Sequence, residues 1–167
     1  MKITVSTLVT APLQLVWQAY TTPADIVQWN TASPDWHTTT AQVDLREGGA
    51  FSSRMEAKDG SMGFDFAGVY TKVEPQRCIE YAFGDRAGTV EFKQSEGGVT
   101  VTVTFDAEQT HSEEQQRGGW QAAFIQGAEN DVVEVGLFEL LGGQIDRDMQ
   151  VGQPVVQPCL GLDARST

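Results

Sequence analysis

The chain has 167 residues, 40% of them hydrophobic, and a formal charge of −12 from 23 acids against 11 lysines and arginines. That length suits one domain with a true core, and that charge argues against a phosphate-backbone partner or an anionic membrane surface. No apolar run is long enough to span a bilayer, and two distant cysteines, Cys78 and Cys159, without CxxC pairing point to a reduced, cytoplasmic protein with no disulfide framework.

Ile3, Val5, Thr7 and Val9 alternate with Lys2, Thr4, Ser6 and Leu8, the period of a half-buried strand. The same stretch lacks the continuous apolar centre of a signal peptide. Ala11-Pro12 ends it, and Pro12 suits the first turn of a helix carrying Val16, Trp17 and Tyr20. Thr22-Pro23 opens a second short helix with Ile26, Val27 and Trp29. There Thr22 offers a capping oxygen and Asp25 a charge that suits the helix dipole. Residues 30–37 read as a turn-rich loop holding Trp36 and His37.

From Thr39 to Asp106 the pattern is an antiparallel meander. A weak strand covers Thr39 to Leu45, Gly48-Gly49 is a joint, and Ala50 to Ala57 alternates Phe51, Ser53 and Met55 against Ser52, Arg54 and Glu56. Lys58-Asp59-Gly60 signals a hairpin. Phe64, Phe66 and Tyr70 share a face, with Gly68 marking either a bulge or a place where bulk is forbidden. Ile79, Tyr81 and Phe83 alternate next, then Val90 and Phe92. After the Glu96-Gly97-Gly98 turn, Val99, Val101, Val103 and Phe105 give the cleanest period-two run in the chain. Strands at this spacing with helices only at the ends make an α+β domain, not a βαβ one.

Ser112 followed by Gln115 reads as a capping box, so a helix starts there. Trp120, Ala123 and Phe124 give it one bulky apolar stripe, and that stripe is the natural object for a curved sheet to wrap. Gly127, Ala128 and Asp131 weaken the stripe beyond Ile125. Val133, Leu137, Leu140 and Leu141 resume a helical pattern that Gly142-Gly143 stops. Residues 144–167 have no period and read as a disordered tail.

Several of these phrases occur together, and in the same order, in one family. They are Ala11-Pro12, VWQAYTTPADIVQW (16–29), DLREGGAF (44–51), the Asp59-Gly60 hairpin, FAGVYTKVEPQRCIEY (66–81), GGVTVTVTF (97–105) and RGGWQAAF (117–124). Over residues 1–126 the chain resembles the bacterial single-domain homologues of the activator of heat-shock-protein-90 ATPase, in the START-like, helix-grip (SRPBCC, Bet v-like) superfamily. The resemblance implies a curved antiparallel sheet of seven strands gripping a C-terminal helix, two short helices closing one end, and a hydrophobic cavity between sheet and helix. It also implies a tie to the stress response. The pattern fails after Gln126, where Gly127 and Asp131 replace the family's large apolar residues. Residues 127–143 are therefore read as a divergent helical extension.

A pocket needs apolar walls and a few fixed polar groups. Trp29, Trp36, Phe51, Met55, Phe64, Phe66, Tyr81, Trp120 and Phe124 are the wall candidates, although aromatic residues serve a core equally well. His37, in its loop at the mouth, and Arg54 are the polar anchor candidates. Strict alternation puts Arg54 opposite Phe51 unless a bulge shifts the register. Nothing supports a metal or cofactor: His37 and His111 are far apart and outside any ligand motif. No GxSxG or phosphate loop is present.

Three readings follow. The first is a non-enzymatic protein binding a small apolar or amphipathic molecule. The second is a cyclase- or hydrolase-type enzyme with His37 or an acid at the pocket mouth as general base. The third is a co-chaperone role with a chaperone partner, disfavoured because the eukaryotic activator's partner module is missing. A homodimer is compatible with all three.

Overall fold

The computed structural model describes residues 1–31 and 33–129, with side chains through Ala122. The elements run β1 (Lys2–Val9), α1 (Leu13–Thr21), α2 (Pro23–Trp29), β2 (Trp36–Val43), β3 (Ala50–Ala57), β4 (Gly63–Glu74), β5 (Cys78–Phe83), β6 (Arg86–Ser95), β7 (Gly98–Asp106) and α3 (Glu113–Glu129). All seven strands form one antiparallel sheet in the order β1-β7-β6-β5-β4-β3-β2. This is the α+β helix-grip architecture expected from the sequence, with α3 against the curled sheet and α1 and α2 at one end.

Local chemistry accounts for most boundaries. The β3–β4 turn closes with the Gly60 N–H donating to the Ala57 carbonyl at 2.9 Å, and Gly60 takes a φ of 76° that glycine adopts freely. The predicted capping box forms in both directions. The Gln115 N–H donates to Ser112 Oγ at 3.2 Å, and the Ser112 N–H donates to Gln115 Oε1 at 3.1 Å. Thr22 stands at the N-cap of α2, yet its side chain makes no capping bond, contrary to expectation. Pro23 already removes one of the helix's orphan donors, which leaves less for Thr22 to satisfy.

One strand starts earlier than the sequence pattern suggests. β2 begins at Trp36, which pairs with Ala57, so Trp36 and His37 lie on the ladder and not in a loop. Bulges fall between Thr38 and Thr40 and between Tyr70 and Lys72. Gly68 sits at neither of them. A Cβ there would come 2.2 Å from the Ala82 carbonyl oxygen and 2.8 Å from the Phe51 ring, so bulk is what the position forbids. Cys78, read as a packed thiol, is buried on β5 and disulfide-bonded, and the rest of that linkage lies outside the described residues. Sequence spacing could not reveal it, because pairing depends on approach in space.

The concave face divides in two. Under the β1–β7–β6 half, Ile3, Val5, Val90, Val101, Val103 and Phe105 pack with almost no exposure. These are the alternating valines of the sequence, and burying each such side chain stabilises the fold by about 1.5–3 kcal/mol. α3 runs along β1 and touches α2, so it covers that half. Two of its side chains reach the sheet's border. Arg117 Nη1 donates to the Thr4 carbonyl at 2.7 Å and Gln121 Nε2 to the Ser6 carbonyl at 3.2 Å. The β3–β5 half carries rings in place of valines and is left partly uncovered. The expected extension over 127–143 and tail over 144–167 lie, but for the backbone of residues 127–129, outside the described residues. No described helix is long and apolar enough to cross a membrane.

Candidate functional site

Between the ring-bearing half of the sheet, α2 and α3 lies a hollow of about 420 Å³, within the range of small-molecule sites. Period-two alternation builds its floor. Phe51, Ser53 and Met55 point in from β3, Phe66 and Tyr70 from β4, and Ile79, Tyr81 and Phe83 from β5. The rings brace one another: Phe51 lies 5.0 Å from Tyr70 and 5.4 Å from Tyr81, and Phe66 lies 5.4 Å from Phe83. Edge-to-face and tilted contacts of this kind hold rings in fixed positions, which keeps the hollow from collapsing.

The walls come from the helices. Trp29 is fixed by its indole N–H, which donates to the Ala19 carbonyl at 2.9 Å, and by stacking on Tyr20 at 5.2 Å. Trp120 stacks on Phe105 at 4.5 Å and meets Phe66 edge-on at 5.6 Å. The rim is open where Phe64, 49% exposed, and His111 border it.

Trp29, Phe51, Met55, Phe64, Phe66, Tyr81 and Trp120 thus come together around one space. Trp36 does not line it, and stands behind Phe64 with ring centroids 5.8 Å apart. The side chain of Phe124 lies outside the described residues. Neither proposed polar anchor reaches the hollow. His37 pairs with Glu56 on the ladder, and its neighbour Thr38 is the residue that turns inward. One residue of register separates the two faces. Arg54 alternates outward between Phe51 and Met55 as strict periodicity demands. It bridges Glu56 at 2.9 Å and Asp65 at 3.5 Å, and the β2 bulge leaves it there.

Other polar groups occupy the positions that were sought. His111 borders the rim, with Nδ1 2.6 Å from Glu108 Oε1. Burial pushes the Glu108 carboxyl up, but the Thr110 and His111 donors outweigh it and hold the group at about 2. Gln115 and Gln116 face in from the first turns of α3, and Arg86 enters from the start of β6. Burial raises the Tyr70 phenol to about 12 and drives Tyr20 and Tyr81 up as well, so all three remain neutral. A neutral phenol in an apolar wall is a hydrogen-bond donor. Among the described residues no group of three His, Cys, Asp or Glu is placed to hold a metal.

Tyr20, Phe83, Arg86 and His111 were not recognised from the sequence. A signal for Arg86 existed, since it keeps the inward phase of Gly88, Val90 and Phe92. The others depend on which elements meet.

The family model described as activator of Hsp90 ATPase homolog 1-like protein matches residues 10–126. Among solved structures, the chain is 40% identical to an AHSA1-like protein from Aeromonas hydrophila, covering 87% of this chain and 100% of that one with a TM-score of 0.77. A protein from Cytophaga hutchinsonii is 38% identical, with 88% and 99% covered and a TM-score of 0.68. A protein from Nitrosomonas europaea shares the fold at 21% identity, 81% and 97% coverage and a TM-score of 0.70. No curated protein matches the chain.

Proposed function

The chain belongs to the activator of Hsp90 ATPase homolog 1-like family, and from that premise we propose that it binds a small amphipathic molecule in the hollow between sheet and α3. The observation that carries this reading is the braced ring of Phe51, Phe66, Tyr70, Tyr81 and Trp120 around about 420 Å³. Side chains that merely filled a core would have closed such a space, because each unfilled volume weakens the fold. Native mass spectrometry of the protein isolated from its own host is the test. The expected result is an adduct released on denaturation, with amide shift changes on its rebinding centred on Phe51, Phe66, Tyr81 and Gly119. Shifts confined to the outer face around Arg54 would count against it.

A second reading, catalysis at the rim, moves from His37 to His111. His111 is held by Glu108 and shares the hollow with Arg86, so two ionisable groups border one space. Turnover of a chromogenic medium-chain ester, lost in His111→Ala, would favour it. The absence of any such turnover sinks it. Docking on a chaperone calls for a contiguous apolar patch. Met62 and Phe64 are exposed close together at the start of β4, but Leu8 lies on β1 at the far border of the sheet, so that reading is the least supported.

A further inference from the structure

We propose that Arg86, together with the Tyr81 hydroxyl, forms an anion anchor, so that the hollow selects molecules with an apolar body and a carboxylate or phosphate head. The inference rests on the binding role proposed above and specifies its ligand class.

Charge is distributed against expectation. The chain carries 23 acids and 11 lysines and arginines, yet among the described residues no Asp or Glu lines the hollow, whereas Arg86 does. Lys2, Arg46, Arg54, Lys72, Arg77 and Arg117 each sit within 3.5 Å of a carboxylate. Arg86, like the exposed Lys58 and Lys93, has no carboxylate partner among the described residues, but it alone of the three is not exposed. It is half-buried on the inward phase of β6, where a lone cation is costly.

The geometry also leaves its donors available. The Arg86 guanidinium carbon lies 4.5 Å from the centroid of the Phe83 ring. Stacking of that kind occupies the flat face of the guanidinium and leaves its in-plane N–H groups for a planar anion. The Tyr81 ring lies 5.6 Å from the Phe83 ring that Arg86 covers, and its ladder partner Gly88 shares the inward phase of β6 with Arg86, two residues away. Tyr81 is 5% exposed and Tyr70 8% exposed, both line the hollow, and neither hydroxyl bonds to another described residue. Neither hydroxyl oxygen is sealed off, so a ligand in the hollow can reach both. An oxyanion at Arg86 would receive a charge-assisted fork from the guanidinium and a further bond from Tyr81.

Calorimetric titration with decanoate, decyl phosphate and decanol, all below their aggregation limits, tests the anchor and separates the two head groups. At least one anion should bind wild-type protein more tightly than decanol, and Arg86→Gln should weaken that anion roughly tenfold to a hundredfold while leaving decanol unchanged. Arg86→Lys should recover part of the loss, and Arg54→Gln on the outer face should change nothing. Unaltered melting temperatures confirm that the variants fold. If the anions bind no better than decanol, or Arg86→Gln weakens all three alike, the anchor is overturned while the binding hollow stands. If none of the three binds wild-type protein, both ideas fall together.

Discussion

The phenol of Tyr81 lies across the bare Cα of Gly88, its ladder partner on β6, so closely that a Cβ at residue 88 would come 2.4 Å from Cζ and 2.6 Å from the hydroxyl oxygen. The glycine is what allows this ring to lie flat in the floor of the hollow. Gly88→Ala should force Tyr81 off its rotamer and cost about 1–3 kcal/mol, the range for overpacking a tight site. Urea unfolding measures the loss, and a variant as stable as the parent would show that the ring has somewhere else to go.

Trp120 couples α3 to the sheet through Phe105 and Phe66. Because it is only partly buried, truncation should fall at or below the lower end of the range for aromatic deletions. The expected cost of Trp120→Ala is about 2–3 kcal/mol. A change below about 0.5 kcal/mol, the size of an ordinary surface substitution, would mean that the helix is held by something else.

Gly118 and Gly119 have no neighbour within 4 Å of where a Cβ would project. Alanine at each should therefore stabilise the helix by roughly 0.5–1 kcal/mol without a clash. The double variant should melt higher. Since Gly119 lines the hollow, stopped-flow mixing with decanoate should also show slower entry, and unchanged kinetics would separate helix stiffness from access.

Acid should loosen the approach to α3. The Glu108 carboxyl is lowered from 4.5 to about 2 in the folded chain, with its donors outweighing burial. A lowered carboxyl contributes stability that is complete above its unfolded value and is lost as pH falls through the folded one. The protection of the Thr110 and His111 amides, taken relative to their intrinsic exchange rates, should accordingly fall between about pH 4.5 and pH 2. Glu108→Gln should flatten that dependence. Protection that is constant through this window would show that the carboxylate does not hold the turn.

How much was legible follows from the range over which each signal acts. The Ser112–Gln115 cap and the valine alternation of β7 are local, and both appear as read. The outward face of Arg54 was legible too, because period two fixes it once Phe51 points inward. His37 was misplaced because its side depends on where β2 begins, and only pairing of Trp36 with Ala57 sets that start. Tyr20 and His111 reach the hollow from elements far apart in the chain. Their meeting is a product of sheet curvature and helix packing, which no short window of sequence encodes.

The contacts from Arg117 and Gln121 to the carbonyls of Thr4 and Ser6 give α3 a second task. β1 ends the sheet, and exposed strand borders invite another chain to add itself. A helix that swung aside to admit cargo would uncover those acceptors at the same moment. Covering those acceptors is therefore a guard against fibril-like templating, and replacing Arg117 and Gln121 together should make crowded protein more prone to self-association.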